Sequence, residues 1–598
     1  MKYPRILALL AALALTMILG LLPVAAQSEA VPVTILPVTD AEFLPGAMFD
    51  LRIEVGADAL PEDFAVSING QNASDFLGAE PVVENWQVGA DNPVTVTAVT
   101  WRGVSLPEPG DYTVTATASG ADTTVSWVAH EPQAATAKNV ILFIADGMTV
   151  AELTAARIAA FGVEGGKVNG EFAIDGFDEL GLVHTNSVDT IMMDSANTAS
   201  AMNTGHKGSV NATGVYADSS PDVLDDPRVE TLAEILRRTT GKSIGVVTTS
   251  DFTDATPAAV WAHGRDRSSG SRANYALQAL EGIQPDVLMG GGAQYLFPQT
   301  TEGSRRVDDH DLYAEYEAAG YTIVNNAAEL SGATSGDLPA KLLGIFHRSD
   351  MNVWLDRNVY TDNLGDFTDQ PGLVDMTLGA LTVLNQNAEG FYLEVEAASV
   401  DKAMHPLDQE RALSDLIEFN YAIAAAAEWA AQNAPDTLIV VTADHGHGYD
   451  VYGTVDVSQF NTATDDLGRR AAIRVYAAAG FPTYTDSDGD GYPEWDADIT
   501  FAGTVTDHPD YTENFQVSPT YRVPAINQDG TYVDNPDDDP NGIVMSGNLA
   551  PSDSTGVHTL QDVPIFAEGP GAAFFGHMLE QSDIFFGMAY ALGVDPRG

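Results

Sequence analysis

The sequence predicts an α/β protein with a mostly parallel central sheet flanked by helices, preceded by a small all-β sandwich. Continuous apolar runs such as Val140-Ile141-Leu142-Phe143-Ile144-Ala145 read as strands buried on both faces, as a parallel sheet requires. They alternate with helical stretches, among them Val229–Arg238 and the Ala-rich Arg411–Ala431, which is the order of an α/β fold. Before Asn139 the texture differs. Phe49, Leu51, Ile53 and Val55 are apolar, while Asp50, Arg52 and Glu54 between them are polar, the period of a half-buried strand.

In chain order, Lys2 and Arg5 precede an apolar stretch from Ile6 to Leu22, with small Val24 and Ala26 before Gln27. This reads as a signal peptide over 1–26, hence export to a periplasm, a cell surface or the medium; an uncleaved membrane anchor is the alternative. No later segment is apolar for long enough to span a membrane. Across 27–130, β-rich runs (Val94–Trp101, Tyr112–Ala118, Thr123–Val128) are separated by turns such as Pro107-Glu108-Pro109-Gly110-Asp111. Such spacing predicts an immunoglobulin-like sandwich of about 100 residues. It carries no visible chemistry, so a spacer is the simplest reading, with docking and surface-binding modules open. Residues 131–137 read as a linker. A catalytic domain over 138–598 then takes strands at Val140–Ala145, Ser243–Thr249, Asp286–Met289, Phe391–Val395 and Thr437–Thr442.

Composition narrows the function. The 598 residues hold 85 Asp and Glu against 27 Lys and Arg, a formal net charge of −58, which leaves no basic surface for nucleic acid. A 45% hydrophobic fraction is that of a folded chain. Cysteine is absent, excluding disulfides, thiolate metal sites and cysteine nucleophiles.

Ligands of open α/β sheets bind at the carboxyl ends of the strands. There the sequence places Asp146, Asp254, Glu396 and the pair Asp444-His445. One acid at a strand end is ordinarily a helix cap, but four converging on one edge repel unless cations hold them. A polynuclear metal site is the economical reading. Asp401 and His405 lie four apart and share a helical face; carboxylate with imidazole suits zinc. Glu396 with Thr256 is an all-oxygen pair that suits magnesium. In Asp194-Ser195-Ala196-Asn197-Thr198-Ala199-Ser200-Ala201 the small residues read as a helix start, placing Ser195 where an anion is favoured.

These stretches resemble the alkaline phosphatase family. Asn139–Gly147 is similar to its first metal-binding strand, Asp194–Gly205 to its phosphoserine motif, and Asp254–Ala259 to its magnesium segment. Glu396–His405, Thr442–His447 and the surroundings of His558 resemble its zinc segments. The resemblance covers about Lys138 to Gly593 and implies an alkaline-phosphatase-like fold. It implies one zinc on Asp401, His405 and His558, and a second on Asp146, Asp444 and His445 with Ser195 as further ligand. Asp146 then bridges to one magnesium on Thr256 and Glu396, which Asp254 reaches through water. Arg267, thirteen residues after Asp254, falls where the family clamps phosphate, with Arg265 as near-register competitor; Lys402 reaches phosphate through water. The implied function is an exported phosphatase that hydrolyses small phosphate monoesters through a phosphoserine. A homodimer is implied unless the inserted segments and the extra domain block it. Two alternatives stand: a phosphodiesterase of the same superfamily, disfavoured by the Thr256/Glu396 pair, and an inactive surface-binding protein on this scaffold.

A crown-like insertion is expected over about 449–553. Within it Asp486, Asp488, Asp490 and Glu494 follow the alternating-acid pattern of a calcium loop, although Ala497 stands where the usual final Glu would be. Calcium and a solvated acidic turn are the two readings.

Overall fold

The computed structural model describes residues 32–90, 93–406, 408–505 and 556–598; the expected signal peptide lies outside them. The first domain is a β-sandwich. One sheet runs Val33–Leu36, Phe49–Val55, Val94–Val104, Val82–Val88, and the other Ala41–Phe43, Ala121–Ala129, Gly110–Ala118, Ala65–Ile68, Gln71–Asn72. Their facing apolar residues, Leu51, Ile53, Val114 and Trp127 among them, form one core.

The strand Phe49–Val55 departs from its expected half-burial: all seven residues are buried. Its polar face is a docking face. Asp50 accepts from the Arg228 amide at 3.2 Å and Glu54 from the Ser219 amide at 3.1 Å. Arg52 pairs with Asp218 and donates to the Asp225 carbonyl at 3.0 Å. Backbone bonds continue the seam, Asp50 N to Arg228 O at 2.8 Å and Glu230 N to Met48 O at 2.9 Å. Alternation of polar and apolar residues reports two environments, and here the second is another domain instead of water. A free spacer does not fit these contacts. Nor is the end of the 131–137 segment loose, since the Thr136 and Ala137 amides both donate to Ala591 O, at 2.9 and 2.8 Å.

The second domain is built on a ten-stranded sheet in the order Thr322–Val324, Leu342–Ile345, Val287–Gly291, Ser243–Asp251, Phe391–Ala397, Asn139–Ala145, Thr437–Thr442, Val563–Glu568, Glu179–His184, Met578–Glu580. The seven strands from Thr322–Val324 to Thr437–Thr442 pair in parallel, and Val563–Glu568 pairs antiparallel with both its neighbours. Asn139–Ala145 sits at the centre with every residue buried. Helices including Leu373–Leu384 and Gln409–Asn433 bury apolar faces against the sheet.

The described part of the insertion forms a three-stranded antiparallel sheet of Ile473–Arg474, Tyr449–Asp456 and Ile499–Val505. It is fastened to the long helix. Trp495 Nε1 donates to Ser414 Oγ at 2.9 Å, Tyr421 hydroxyl to Gly491 O at 2.6 Å, and Tyr492 stacks on Trp354 with centroids 3.5 Å apart. Residues 506–553 of the expected insertion lie outside the described residues. No helix among the described residues is long and apolar enough to cross a membrane.

Candidate active site

Parallel pairing brings the strand ends together. Ile144 stands opposite Glu396 on one side and Thr442 on the other, and Thr248 stands opposite Glu396 from the next strand. Asp146, Glu396, Asp444 and Asp254 therefore share one edge. Gly147 shows how tightly: its amide donates to Asp444 Oδ1 at 3.0 Å, its φ is +78°, and a Cβ there would come within 3.1 Å of Asp401 Cβ. Only glycine adopts this turn without strain.

Ser195 opens the helix Ser195–Thr204, capped by Asp194, whose carboxylate accepts from the Ala196 amide at 2.7 Å. Its Oγ is 3.4 Å from Asp146 Oδ2 and 3.4 Å from His445 Nε2. His445 Nε2 is also 3.4 Å from Asp146 Oδ1 and 3.3 Å from Asp444 Oδ2. Asp146, Asp444 and His445 thus form one donor cluster with Ser195 at its mouth.

The second cluster is Asp401, His405, His447 and His558. His405 Nε2 lies 3.3 Å from Asp401 Oδ2, and His447 and His558 lie 3.3 and 3.2 Å from Oδ1. The distal nitrogens of two rings are tied to backbone: His405 Nδ1 is 2.7 Å from Gly556 O and His558 Nδ1 is 2.7 Å from Met193 O. A carbonyl accepts only, so each Nδ1 carries a proton and each Nε2 is turned inward toward Asp401, the orientation in which a neutral imidazole ligates a metal. His447 was not singled out by spacing. A short antiparallel ladder sets it opposite His558, and the two-residue step from His445 in Asp444-His445-Gly446-His447 was the available signal.

The remaining residues line a cavity of about 140 Å³: Asp146, Ser195, Asp254, Thr256, Arg267, Glu396, Asp401, Lys402 and His405. Lys402 Nζ donates to Asp254 Oδ2 at 2.6 Å. Arg267 is in the cavity wall, whereas Arg265 turns away to Asp218 and Asp226 at 3.5 and 3.7 Å. Arg272 was also missed by sequence reasoning. It lies 3.6 Å from Asp254 and 3.4 Å from Asp251, its guanidinium 5.3 Å from the Tyr295 ring.

The donor set fits cations. Asp146 Oδ1, Asp401 Oδ1, Asp444 Oδ2 and Thr256 Oγ1 are buried and make no hydrogen bond among the described residues, a costly state unless an ion satisfies them. Burial, then Asp444 and Asp401, push Asp146 well above the usual carboxylate range. Burial lifts Glu396 to about 7 and Asp444 to about 6. Asp401 goes the other way: burial would raise it, but the imidazoles of His405, His447 and His558 gathered around it hold it well below. Asp254 is held down against burial by Lys402, Arg272 and Arg267.

Asp486, Asp488 and Asp490 come together on an exposed loop. Glu494 does not join them, because it accepts from the Ser487 amide at 2.9 Å. Asp218, Asp225 and Asp226 also cluster, with Arg52 and Arg265 as their counter-charges.

A parallel sheet whose carboxyl edge gathers a capped serine, carboxylates, imidazoles and an arginine defines the class, an α/β phosphate-ester hydrolase. The alkaline phosphatase family model matches residues 137–594 and the PhoA-like N-terminal domain model matches residues 33–130. An alkaline phosphatase of Gadus morhua is 30% identical over 488 residues, 76% of this chain and 91% of that protein. Streptomycin-6-phosphate phosphatase of Streptomyces griseus is 34% identical over 352 residues, 52% of this chain and 74% of that protein. The crystal structure of Thermus thermophilus alkaline phosphatase aligns with a TM-score of 0.53 at 22% identity, over 77% of this chain and 93% of that one. The chain belongs to the alkaline phosphatase family and is a phosphomonoesterase.

Proposed function

We propose that the chain is an exported alkaline phosphatase that hydrolyses phosphate monoesters through a phosphoserine at Ser195, at a centre of two zinc ions and one magnesium. The observation that carries this is Ser195 Oγ, 3.4 Å from both Asp146 and His445 at the amino end of a helix. Asp401, His405 and His558 would hold one zinc, with His447 beside them; Asp146, Asp444 and His445 would hold the other; Thr256, Glu396 and Asp146 would hold magnesium. When bound, these ions neutralise the carboxylates and supply Lewis-acid charge to the oxygens that attack and leave. The chain supplies the rest. Ser195 Oγ attacks phosphorus in line, forming the Oγ–P bond as the bond from phosphorus to the ester oxygen breaks; the serine proton goes to water, and the departing oxygen takes a proton from water and leaves as the alcohol. Arg267 presents two N–H groups to the phosphoryl oxygens, a fork that lysine lacks, and the amino end of the Ser195 helix favours the phosphate's negative charge. Lys402 contributes positive charge while holding Asp254. Water then cleaves the phosphoserine and frees phosphate.

The Thr256/Glu396 pair in the cavity wall supports monoesters over diesters. Buried carboxylate oxygens on Asp146, Asp401 and Asp444 that make no hydrogen bond among the described residues argue against an inactive scaffold, which has no use for them. The test is p-nitrophenyl phosphate turnover by metal-loaded protein. Turnover lost with chelator, restored by zinc plus magnesium and abolished by Ser195→Ala supports the proposal. Turnover unchanged in Ser195→Ala, or bis-p-nitrophenyl phosphate as the better substrate, overturns it.

A further inference from the structure

The helix that begins at Ser195 is unusual in what holds it. All ten residues of Ser195–Thr204 are buried, none is charged, and most are small. Its carboxyl-terminal half is anchored in the core, where Met202 is buried and Asn203 accepts from the Tyr392 hydroxyl at 3.0 Å and donates to Glu394 at 2.9 Å; the half that carries Ser195 has only small side chains, so its position depends on the hydrogen bonds that grip it.

The grip comes from the loop that follows. At the amino end the Asn211 amide donates to Asp194 Oδ2 at 2.6 Å, the carboxylate that caps the helix. Midway, the Gly214 amide donates to Ser200 Oγ at 2.9 Å. At the carboxyl end Gly205 turns with φ +78°, where a Cβ would lie 2.7 Å from the Phe585 ring. His206 follows, buried, with Nδ1 3.0 Å from the Tyr216 hydroxyl.

The outer side of this loop belongs to the other domain. Phe43 of the sandwich meets the His206 ring edge-on with centroids 4.8 Å apart, and itself packs on Phe49 and Trp127 at 4.7 and 5.3 Å. Tyr216 and Val229, though from the catalytic domain, are part of the sandwich core. Phe49 also forms a backbone bridge with Val229.

We propose that the N-terminal sandwich positions the nucleophile: Phe43, through His206 and Tyr216, fixes the loop that grips both ends of the Ser195 helix. His206 and Tyr216 are positioning residues, remote from the substrate. The proposal rests on Ser195 being the nucleophile, but its structural part is testable apart from that reading.

The experiment uses the full metal-loaded chain in two variants. Phe43→Ala removes the ring contact, and Tyr216→Phe removes only the hydroxyl facing His206 while keeping the core. Hydrogen exchange by mass spectrometry is read on peptides covering 195–216 and, as internal reference, the helix Leu373–Leu384; kcat and KM for p-nitrophenyl phosphate are read in parallel. The expected result is faster exchange in 195–216 with 373–384 unchanged. With it kcat falls by about fivefold in Tyr216→Phe, the rate equivalent of one hydrogen bond's net contribution, while KM stays near the parent value. Unchanged exchange in 195–216 for Tyr216→Phe overturns the proposal whatever Ser195 does, and so does faster exchange with kcat unaltered. A loss confined to thermal stability would show a merely structural contact and overturn it too.

Discussion

Lys402 Nζ donates to Asp254 Oδ2 across 2.6 Å, and Arg272 approaches the other oxygen of the same carboxylate at 3.6 Å. Two cations on one carboxylate keep it charged against burial and leave Lys402 a fixed point of positive charge in the cavity wall. Lys402→Ala is expected to weaken inhibition by inorganic phosphate about tenfold, or about 1.4 kcal/mol, with zinc content unaltered by elemental analysis. An unchanged inhibition constant would remove Lys402 from the phosphate site.

Chelation tests the fit of the donor set through stability. Asp146, Asp444 and Glu396 are pushed up by burial and Asp146 and Asp444 each keep an oxygen without a hydrogen bond. An ion that binds only the folded chain stabilises it by about 2.7 kcal/mol when free ligand is a hundredfold above Kd. Thermal unfolding should move down on adding a chelator and return with zinc plus magnesium. A midpoint indifferent to both would mean that these carboxylates hold no ions.

His206 gives a pH dependence whose sign is set by burial, which pushes its imidazole down to about 3 from about 6.5 in an unfolded chain. Above pH 6.5 neither state is protonated and the residue is neutral to stability. Below it the unfolded chain takes a proton that the folded chain refuses, so stability falls as pH drops from 6.5 toward 3. At pH 5 the loss is about 2 kcal/mol. Urea midpoints of His206→Gln should lie below the parent at pH 7 and close on it at pH 5. A constant gap would contradict this.

The net charge of −58 should repel a phosphate ester at low ionic strength, leaving Arg267, Lys402 and the bound ions as a local positive well. Moderate salt is expected to raise kcat/KM. A steep fall across an ionic-strength titration would show attraction instead.

Much of this was legible in the sequence because short-range chemistry encodes it. The apolar run at Val140–Ala145 could only be a fully buried strand, and the acids after such strands had to share an edge once the strands ran parallel. The family resemblance pointed to Arg267 and kept Arg265 as its near-register competitor; in the fold Arg267 lines the cavity, while Arg265 is turned to Asp218 and Asp226. His447 and Arg272 were not visible, since a histidine two residues past another, or an arginine in the helix Ser269–Glu281, takes its meaning from partners over 40 or nearly 20 residues away, Asp401 and Asp254. The least legible feature was the polar face of Phe49–Val55. Period two reports that one face differs from the other, and water and a second domain lined by Arg228, Ser219 and Asp218 look alike to it.

The central claim is that Ser195 takes the phosphoryl group, and the most direct measurement is to trap it there. Metal-loaded protein mixed with p-nitrophenyl phosphate or inorganic phosphate and quenched in acid should yield, on digestion and mass spectrometry, a phosphorylated peptide with the group on Ser195, absent from Ser195→Ala. An active enzyme that yields no phosphate on Ser195 under rapid quench, or one that carries it on another residue, would contradict the account.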